Sequence, residues 1–327
     1  MEPYLENPQL ANFESLKRNR DLFDGDVVPQ IKYARVTVGE GDAGSATIGG
    51  GPYIEIVASN PAFRYTTAEG RQVPFGKSTL FTWTSKMSCP SFSLPAGPAR
   101  TGGTCPAALA AAVEKEGTYA EFHPPLSEMP EDEIFICDTC YAGKGRYLMY
   151  KSMSLGQVAK LEWVKKTLRA GTFVRQMTEA IASLLNDPDV EELLASKLVS
   201  NRFFRIHDSG DFYAPEYYRA WTEVCRNLPK VMFWAPTRMW VYRAWREVFQ
   251  NYPPPKNLAL RPSALFTSAP PPQIPGMAAG TTSVEGKMKK PVKNCPAYEG
   301  DAEHSCAAAR CRTCWAEKHK PVNYMTH

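Results

Sequence analysis

Apolar runs and helix-spaced apolar positions alternate between residues 202 and 261. Short runs rich in aromatic and β-branched residues predict strands, and apolar residues three or four positions apart predict helices between them. The predicted order is strand 202–207, helix 215–227, strand 231–235, helix 240–250 and strand 258–261. Strands joined by single helices form right-handed βαβ units, so the pattern predicts an α/β fold with a parallel sheet. A partial (β/α) barrel and an open doubly wound sheet both satisfy it.

Upstream of this alternation, the same pattern divides the chain further. Apolar spacing near 3.6 residues predicts amphipathic helices at 155–169 and 173–185. Residues 31–38 and 53–57 are typical of strands, and the glycine-rich segment 39–51 between them predicts a loop. We therefore divide the chain into a β-rich N-terminal element, an α/β domain, and a proline-rich linker followed by a cysteine-rich tail. Their ranges are 1–79, 80–267 and 268–327.

Composition and charge are those of an ordinary globular protein. Of the 327 residues, 43% are hydrophobic and 22% are charged, and the net charge is +4. This charge permits contact with nucleic acid but does not indicate it, because dedicated binders concentrate their basic residues in a stripe. The N-terminus lacks the pattern of a signal peptide, and no apolar run approaches the ~20 residues of a membrane span. We expect a cytoplasmic protein, in which paired cysteines are metal ligands more often than disulfides.

The cysteines form the most informative pattern in the chain. Eight of the nine fall into two sets of four, each of which contains a Cys-x-x-Cys. The first set is Cys89, Cys105, Cys137 and Cys140, and the second is Cys295, Cys306, Cys311 and Cys314. Four thiolates are the complement for one tetrahedral Zn²⁺ or one iron–sulfur cluster. Two metal centres are therefore predicted, and the remaining Cys225 is predicted to be a buried apolar residue.

The second set is the more compact of the two. Its spacing is Cys-x10-Cys-x4-Cys-x2-Cys, and the x4 and x2 gaps also occur in plant-type ferredoxins. A zinc ribbon uses similar spacings, so zinc is the alternative to the two 4Fe–4S clusters that we expect. The tail is too short to fold on apolar burial alone, and a bound metal is expected to supply much of its order.

The first set is dispersed, so the fold has to bring its thiols together. The Cys-x3-Cys-x2-Cys pattern of radical enzymes that cleave S-adenosylmethionine is absent. A centre held by four thiolates has no open position for a substrate. This favours electron transfer or a structural role over direct catalysis.

A polar motif follows the strand predicted at 202–207. His207, Asp208 and Asp211 are candidate catalytic residues, and Ser209 is a candidate ligand contact, because ligands bind at the carboxyl ends of parallel strands. An imidazole and two carboxylates can serve as acid, base or metal ligand. In the alternative interpretation Asp208 or Ser209 caps the next turn, Gly210 supplies a positive φ and His207 packs in the core.

Two pairs of cations are candidates for holding an anion. Arg238 and Arg261 lie at the ends of the next two predicted strands, which places them at the same sheet edge as the polar motif. We expect both to line one pocket with its histidine and two aspartates. Lys144 and Arg146 lie in a glycine-containing segment that resembles a phosphate-contacting loop, although it has no Walker pattern. The alternatives are surface ion pairs for the arginines and a tight turn around the cysteines for the loop.

Several segments occur together in an order that resembles the phage "gene product 88" domain family. They are 92–97, 104–106, 137–147, 204–212, 233–238 and the cysteine-rich tail. The resemblance covers residues 80–327 and leaves the N-terminal element outside. It implies a phage or mobile-element origin, and hence a location in the host cytoplasm, but it does not imply a reaction.

Two hypotheses about function follow. In the first, the chain is an iron–sulfur protein, and as an enzyme it acts on an anionic nucleotide or nucleic-acid substrate with Asp208 or Asp211 as the acid–base group. In the second, it is a non-catalytic, zinc-stabilised nucleic-acid-binding protein of phage replication or host takeover. The basic residues of the tail suit the second hypothesis, although a solvated basic face is the commoner explanation of such a run. The sequence indicates no oligomeric state.

Overall fold

The computed structural model of the chain describes most of the predicted elements. The described residues are 29–40, 46–56, 64–66, 69–74, 76–84, 87, 89–98, 102–108, 134–143, 151–196, 202–267, 269–284, 287–298 and 305–324.

Strands dominate the N-terminal part and then alternate with helices. The strands are β1 Ile31–Glu40, β2 Ala46–Glu55, β3 Arg64–Thr66, β4 Gln72–Pro74, β5 Lys77–Thr79, β6 Thr82–Thr84, β7 Cys89–Ser93, β8 Arg202–Ser209, β9 Val231–Thr237, β10 Leu258–Pro262, β11 Thr281–Thr282, β12 Lys293–Asn294 and β13 Val322–Asn323. The helices are α1 Lys151–Arg169, α2 Phe173–Leu185, α3 Pro188–Ser196, α4 Pro215–Asn227, α5 Arg243–Asn251 and α6 Thr313–Ala316. The predicted helices at 173–185 and 215–227 are confirmed at both ends, and Pro215 begins the second of them as its first residue.

The main sheet confirms the α/β prediction. Among the described residues it has five strands in the order β10-β9-β8-β7-β6, in which β7 to β10 run parallel and β6 is antiparallel to β7. The three strands of the predicted alternation are adjacent, as βαβ units require. The order is that of an open sheet, and within the described ranges no barrel is formed.

The two faces of this sheet pack against different parts of the chain. Side chains alternate between faces along a strand. Phe92 and Phe204 face the helices and lie 5.7 and 6.1 Å from the ring of Trp221. Phe203 and Trp234 face the tail, and each lies 5.4 Å from the ring of Trp315 in α6. The cysteine-rich tail therefore covers one face of the sheet.

The N-terminal strands pack against the same core as the main sheet. Strands β1, β2 and β5 form an antiparallel sheet whose Val36 and Ile54 belong to the main cluster of buried residues. The predicted loop 39–51 is too long, because β1 runs to Glu40 and β2 begins at Ala46. Glycine-rich sequence enters the strand here because Gly50 and Gly51 adopt positive φ values of 80° and 81°. None of the described helices is both long and apolar enough to cross a membrane.

Candidate functional site

A break in the pairing of β7 with β8 shapes the polar motif. Phe92 pairs with Ile206, but the next residue of β7, Ser93, pairs with Ser209. His207 and Asp208 are therefore extra residues in β8, and His207 has a positive φ of 63°. Such a bulge redirects side chains at the end of a strand. The polar residues of the motif consequently have different surroundings.

His207 is part of the aromatic core. Its Nε2 lies 2.9 Å from the Tyr217 hydroxyl, and its ring centroid lies 4.8 Å from that of Phe212. Burial, and secondarily the charge of Arg205, lowers the pKa of His207 to about 3. The imidazole is therefore neutral at physiological pH. This geometry favours the packing role over the catalytic role proposed for His207 from the sequence.

Asp208 lies in a buried polar group on the other side of the strand. Its Oδ2 accepts a hydrogen bond of 3.1 Å from the Thr82 hydroxyl. The Asp208 carboxylate is also close enough to raise the pKa of Lys160, although burial, the larger effect, lowers that pKa to about 8. Sequence reasoning missed Lys160. The signal for it is a lysine in the middle of the apolar face of α1.

Asp211 connects two strand ends. Its Oδ1 accepts the backbone N–H of Phe212 at 2.7 Å, and its Oδ2 accepts that of Arg238 at 2.9 Å. Burial raises the pKa of Asp211 to about 6, although these hydrogen bonds lower it. Asp211 thus has the properties of a group that exchanges a proton near neutral pH.

Two cysteines of the first set, Cys105 and Cys137, lie near Asp211, and Cys140 lies near both of them. Burial raises the pKa of Cys105 well above its usual value, and the charges of Asp211, Cys140 and Cys137 raise it further. Burial also raises the pKa of Cys137 to about 11, with Arg238 opposing this and Cys140 and Asp211 adding to it. We call Cys105, Cys137 and Cys140 the edge thiols. They lie within electrostatic range of each other, at the carboxyl edge of the sheet.

Short turns and backbone hydrogen bonds position the edge thiols. The Cys105 N–H donates to Gly97 O at 2.9 Å, and Cys137 and Cys140 are held in one turn by a 3.3 Å backbone hydrogen bond. The Arg238 guanidinium lies alongside, with Nε donating to Ala264 O at 3.0 Å. The structure therefore brings Asp211 and Arg238 together with these three thiols.

The four tail cysteines form a second group. Burial raises the pKa of Cys306, and the charges of Cys314, Cys295 and Cys311 raise it further. The Cys314 sulfur lies 3.1 Å from the Tyr324 hydroxyl, and the Cys311 sulfur lies 3.4 Å from the Thr313 hydroxyl. We call Cys295, Cys306, Cys311 and Cys314 the tail thiols.

Cys89 lies with the tail thiols and not with the edge thiols. Cys89 and Phe92 are on opposite faces of β7, and Phe92 faces the helices, so Cys89 points toward the tail. In agreement, burial raises the pKa of Cys89 to about 12, and its charged neighbours include Arg205, Arg312 and Cys314. The first predicted set of four cysteines is thus divided into the three edge thiols and Cys89, because Cys89 points to the tail-covered face of the sheet.

All nine cysteines are described, and all nine are free. Cys225 is fully buried in the core, as predicted. In the described part of the chain, no group of three or more histidine, cysteine, aspartate or glutamate side chains is arranged to hold a metal ion. Proximity alone therefore defines the two thiol groups.

Two residues predicted to contact a ligand bind the backbone instead. Arg261 is fully buried and its guanidinium reaches five carbonyl oxygens, those of Cys314, Ala279, Lys320, Thr313 and Glu317. A guanidinium has five N–H donors, so this leaves none for an anion. The Ser209 hydroxyl donates to Leu94 O at 2.8 Å. Arg261 also points to the tail-covered face, and it does not share a pocket with Asp211.

Lys144 and Arg146 lie outside the described residues. The preceding turn, Tyr141–Gly143, is described, and Tyr141 accepts a 3.2 Å hydrogen bond from Arg205 Nη2. The Arg205 guanidinium also stacks on Trp234, with 4.8 Å between its central carbon and the ring. Arg205, which sequence reasoning missed, therefore lies between the edge thiols and the tail-covered face.

Comparison with known proteins confirms the resemblance seen in the motifs. The family described as Gene product 88 matches residues 64–317, so the match begins ahead of the predicted start at residue 80. Over 110 residues the chain is 36% identical to the Gene 88 protein of Mycobacterium phage L5 and 33% identical to that of Mycobacterium phage D29. Each alignment covers 34% of this chain and 42% of the relative, so the chain spans less than half the length of these relatives. No solved structure matches the chain.

Proposed function

The chain belongs to the gene product 88 family of phage proteins, and we propose that it acts as an iron–sulfur protein with two separate thiol centres. The edge thiols form a reactive centre at the carboxyl edge of the sheet. The tail thiols form a second centre that orders the tail or passes electrons. The substrate is an anionic nucleotide or nucleic acid that binds at the edge.

The division of the cysteines into three and four carries this proposal. Centres that only stabilise a fold are closed by four protein ligands, whereas reactive centres keep one position open. The edge group has three thiols, and its charged neighbours include Asp211 and Arg238. An acid–base group and a cation therefore lie beside the thiols that would hold the cluster. The tail group has four thiols, enough for a closed centre, and Cys89 lies beside them as a fifth thiol.

The donor chemistry of both groups suits thiolate ligation. Soft sulfur ligands select iron–sulfur clusters, zinc or copper(I) over hard cations. Free cysteines that lie within electrostatic range of each other would repel as thiolates, and a bound cation would relieve this repulsion and lower their pKa values. When bound, an iron–sulfur cluster would supply one-electron chemistry. Ligation requires the thiols of each group to move closer together than they lie in the structure.

The surrounding residues have separate roles in this proposal. Asp211 would exchange a proton, because its pKa of about 6 lies close to neutral pH. Arg238 uses Nε to bind Ala264 and has two further amino groups for an anion. Asp208 lies near Lys160 and is the second candidate acid–base group. His207 has no part in the chemistry.

Anaerobic purification followed by metal analysis tests the proposal. Iron and acid-labile sulfide should be present for two clusters per chain, with absorbance at about 400 nm from thiolate-to-iron charge transfer. Zinc without iron, in a colourless protein, would support the second candidate instead. Protein that contains neither metal when prepared without oxygen or chelator would contradict both.

An exposed basic segment favours that second candidate, a zinc-stabilised nucleic-acid-binding protein. Lys289, Lys290 and Lys293 are exposed just before the first tail thiol, Cys295. A cation that neutralises phosphate releases counterions, so binding should weaken with salt. Replacing the three lysines with glutamine should make the slope of log affinity against log salt concentration less steep. The change should correspond to the loss of up to about three phosphate contacts. DNA binding that is absent, or unaffected by these changes, would remove this candidate.

A further inference from the structure

One buried cation at the sheet edge lies outside both thiol groups. Lys160 is on the inner face of α1 and is 3% exposed. Its Nζ donates to the hydroxyl of Ser93, the last residue of β7, at 3.3 Å. An ammonium group has three N–H donors, and Ser93 is the hydrogen-bond acceptor found for it among the described residues. Donors therefore remain for a further acceptor.

A buried donor without an acceptor lies one helical turn away from Lys160. Gln157 is 5% exposed, and within the described ranges its buried Nε2 has no hydrogen-bond partner. Residues three apart are neighbours on a helix surface, so Gln157 and Lys160 occupy adjacent positions on α1. Buried polar groups in folded proteins are hydrogen-bonded in the great majority of cases. Among the described residues the Gln157 amide therefore lacks an acceptor, whereas Lys160 donates to Ser93 and lies near the Asp208 carboxylate.

The electrostatic surroundings favour an anion as the source of that acceptor. The Nζ of Lys160 lies 5.9 Å from the centroid of the Phe92 ring, which belongs to the apolar core. Asp208 is the charged group that raises the pKa of Lys160 against the larger effect of burial. An additional negative charge would stabilise the ammonium further, and an oxyanion has enough lone pairs for both donors.

We propose that Lys160 and Gln157 form an oxyanion subsite that takes a carboxylate or phosphate group of a ligand bound at the sheet edge. The proposal deepens the proposed function and rests on it for the anionic substrate. It supplies the cation that Arg261 does not provide. A purely structural ion pair between Lys160 and Asp208 would explain the lysine but not the unpaired amide of Gln157.

Calorimetric titration of the purified, metal-containing protein tests the subsite. Inorganic phosphate and acetate are used as separate probes, so that the two sources of an oxyanion are distinguished. The variants are Lys160→Met and Gln157→Leu, and the control is Lys165→Met, which removes a lysine of the same helix that pairs with Glu162 at 2.7 Å. At least one probe should bind wild type and Lys165→Met equally well. Lys160→Met should weaken that binding at least tenfold, and Gln157→Leu severalfold.

Gln157→Leu also keeps the test decisive if Lys160→Met folds poorly. Without a probe, this variant should unfold at the same temperature as wild type or a higher one, because it removes an unpaired buried donor. The proposal is overturned if neither probe binds wild type, if both variants bind as wild type does, or if Gln157→Leu unfolds at a lower temperature. Metal content is measured on the same samples. Loss of probe binding in the variants at unchanged metal content supports the subsite. If the chain contains no metal but still binds a probe through Lys160, only the proposal of metal centres is contradicted.

Discussion

The Nε atom of Arg261 donates a hydrogen bond of 2.9 Å to the carbonyl oxygen of Cys314. Arg261 lies on β10, the last parallel strand of the main sheet, and Cys314 is a tail thiol in α6. The other guanidinium donors bind further carbonyls of the same region. The sheet therefore holds the backbone around the tail thiols through one buried side chain.

Arg261→Met should detach the tail from the sheet. The change removes a donor from five carbonyl oxygens, of which those of Thr313 and Glu317 keep a backbone N–H donor. We expect it to lower the free energy of unfolding by about 3–5 kcal/mol. Urea unfolding measures the loss, and limited proteolysis should cut the tail first. The control Arg243→Met removes an arginine whose side chain is 79% exposed, and it should change little. Equal stability of the two variants would contradict the anchoring role.

Gly210 has to be glycine because the loop that carries Cys105 packs against it. It has a φ of 86°, and a Cβ there would lie 2.6 Å from the Thr104 hydroxyl and 2.8 Å from the Leu94 Cβ. Gly210→Ala should therefore cost about 2–5 kcal/mol, through backbone strain and overpacking together.

Gly171→Ala is the matched control for Gly210→Ala. Gly171 has a φ of 66°, but nothing lies within 4 Å of a Cβ at that position. This variant should cost only about 1 kcal/mol, from strain alone. Thermal unfolding compares the two, and equal costs would show that the close approach at Gly210 is unimportant. Gly210→Ala should also reduce metal at the edge thiols while the tail keeps its own.

Lys160 should make stability rise with pH in alkaline solution. Its pKa is lowered to about 8 in the folded chain from an ordinary value of 10.5. Between these values the unfolded chain binds more protons, so the free energy of unfolding increases with pH through this window. Below about pH 8 the charged Lys160 destabilises the fold by about 3 kcal/mol. Relative to Lys160→Met, wild type should gain about 2–3 kcal/mol between pH 7 and pH 10 in urea unfolding. Parallel curves for the two proteins would contradict the assignment.

The parallel sheet was predictable because its strands carry their own signal. Residues of β10 are buried throughout, and apolar runs of this kind between helices indicate a parallel sheet whatever the tertiary context. The strand ends were less predictable, and β8 extends to Ser209 because a bulge adds His207 and Asp208. Nothing in the local sequence marks that bulge, since a positive φ at a histidine depends on the packing around it.

The composition of the candidate site was predictable, but its grouping was not. Cysteine spacing indicates which thiols are close along the chain, and the tail thiols are close in space for that reason. Cys89 was grouped with the edge thiols, whereas in the structure it lies near the tail thiols, because its direction depends on which face of β7 the tail covers. Arg261 was expected to hold a ligand because its position at the end of the strand could be predicted. The sheet face to which its side chain points could not be predicted. Lys160 was missed because a lysine in a helix is usually solvated.

The edge thiols and the tail thiols form separate metal centres in this account, and Cys89 is not a ligand of the edge centre. Counting the metal bound by single cysteine variants tests this most directly. Cys105→Ser should lose the edge metal and keep the tail metal, and Cys306→Ser should do the reverse. Cys89→Ser should keep the edge metal, and Cys225→Ala should keep both centres because Cys225 is fully buried in the apolar core. Loss of the edge metal in Cys89→Ser, or unchanged metal in Cys105→Ser, would contradict the account.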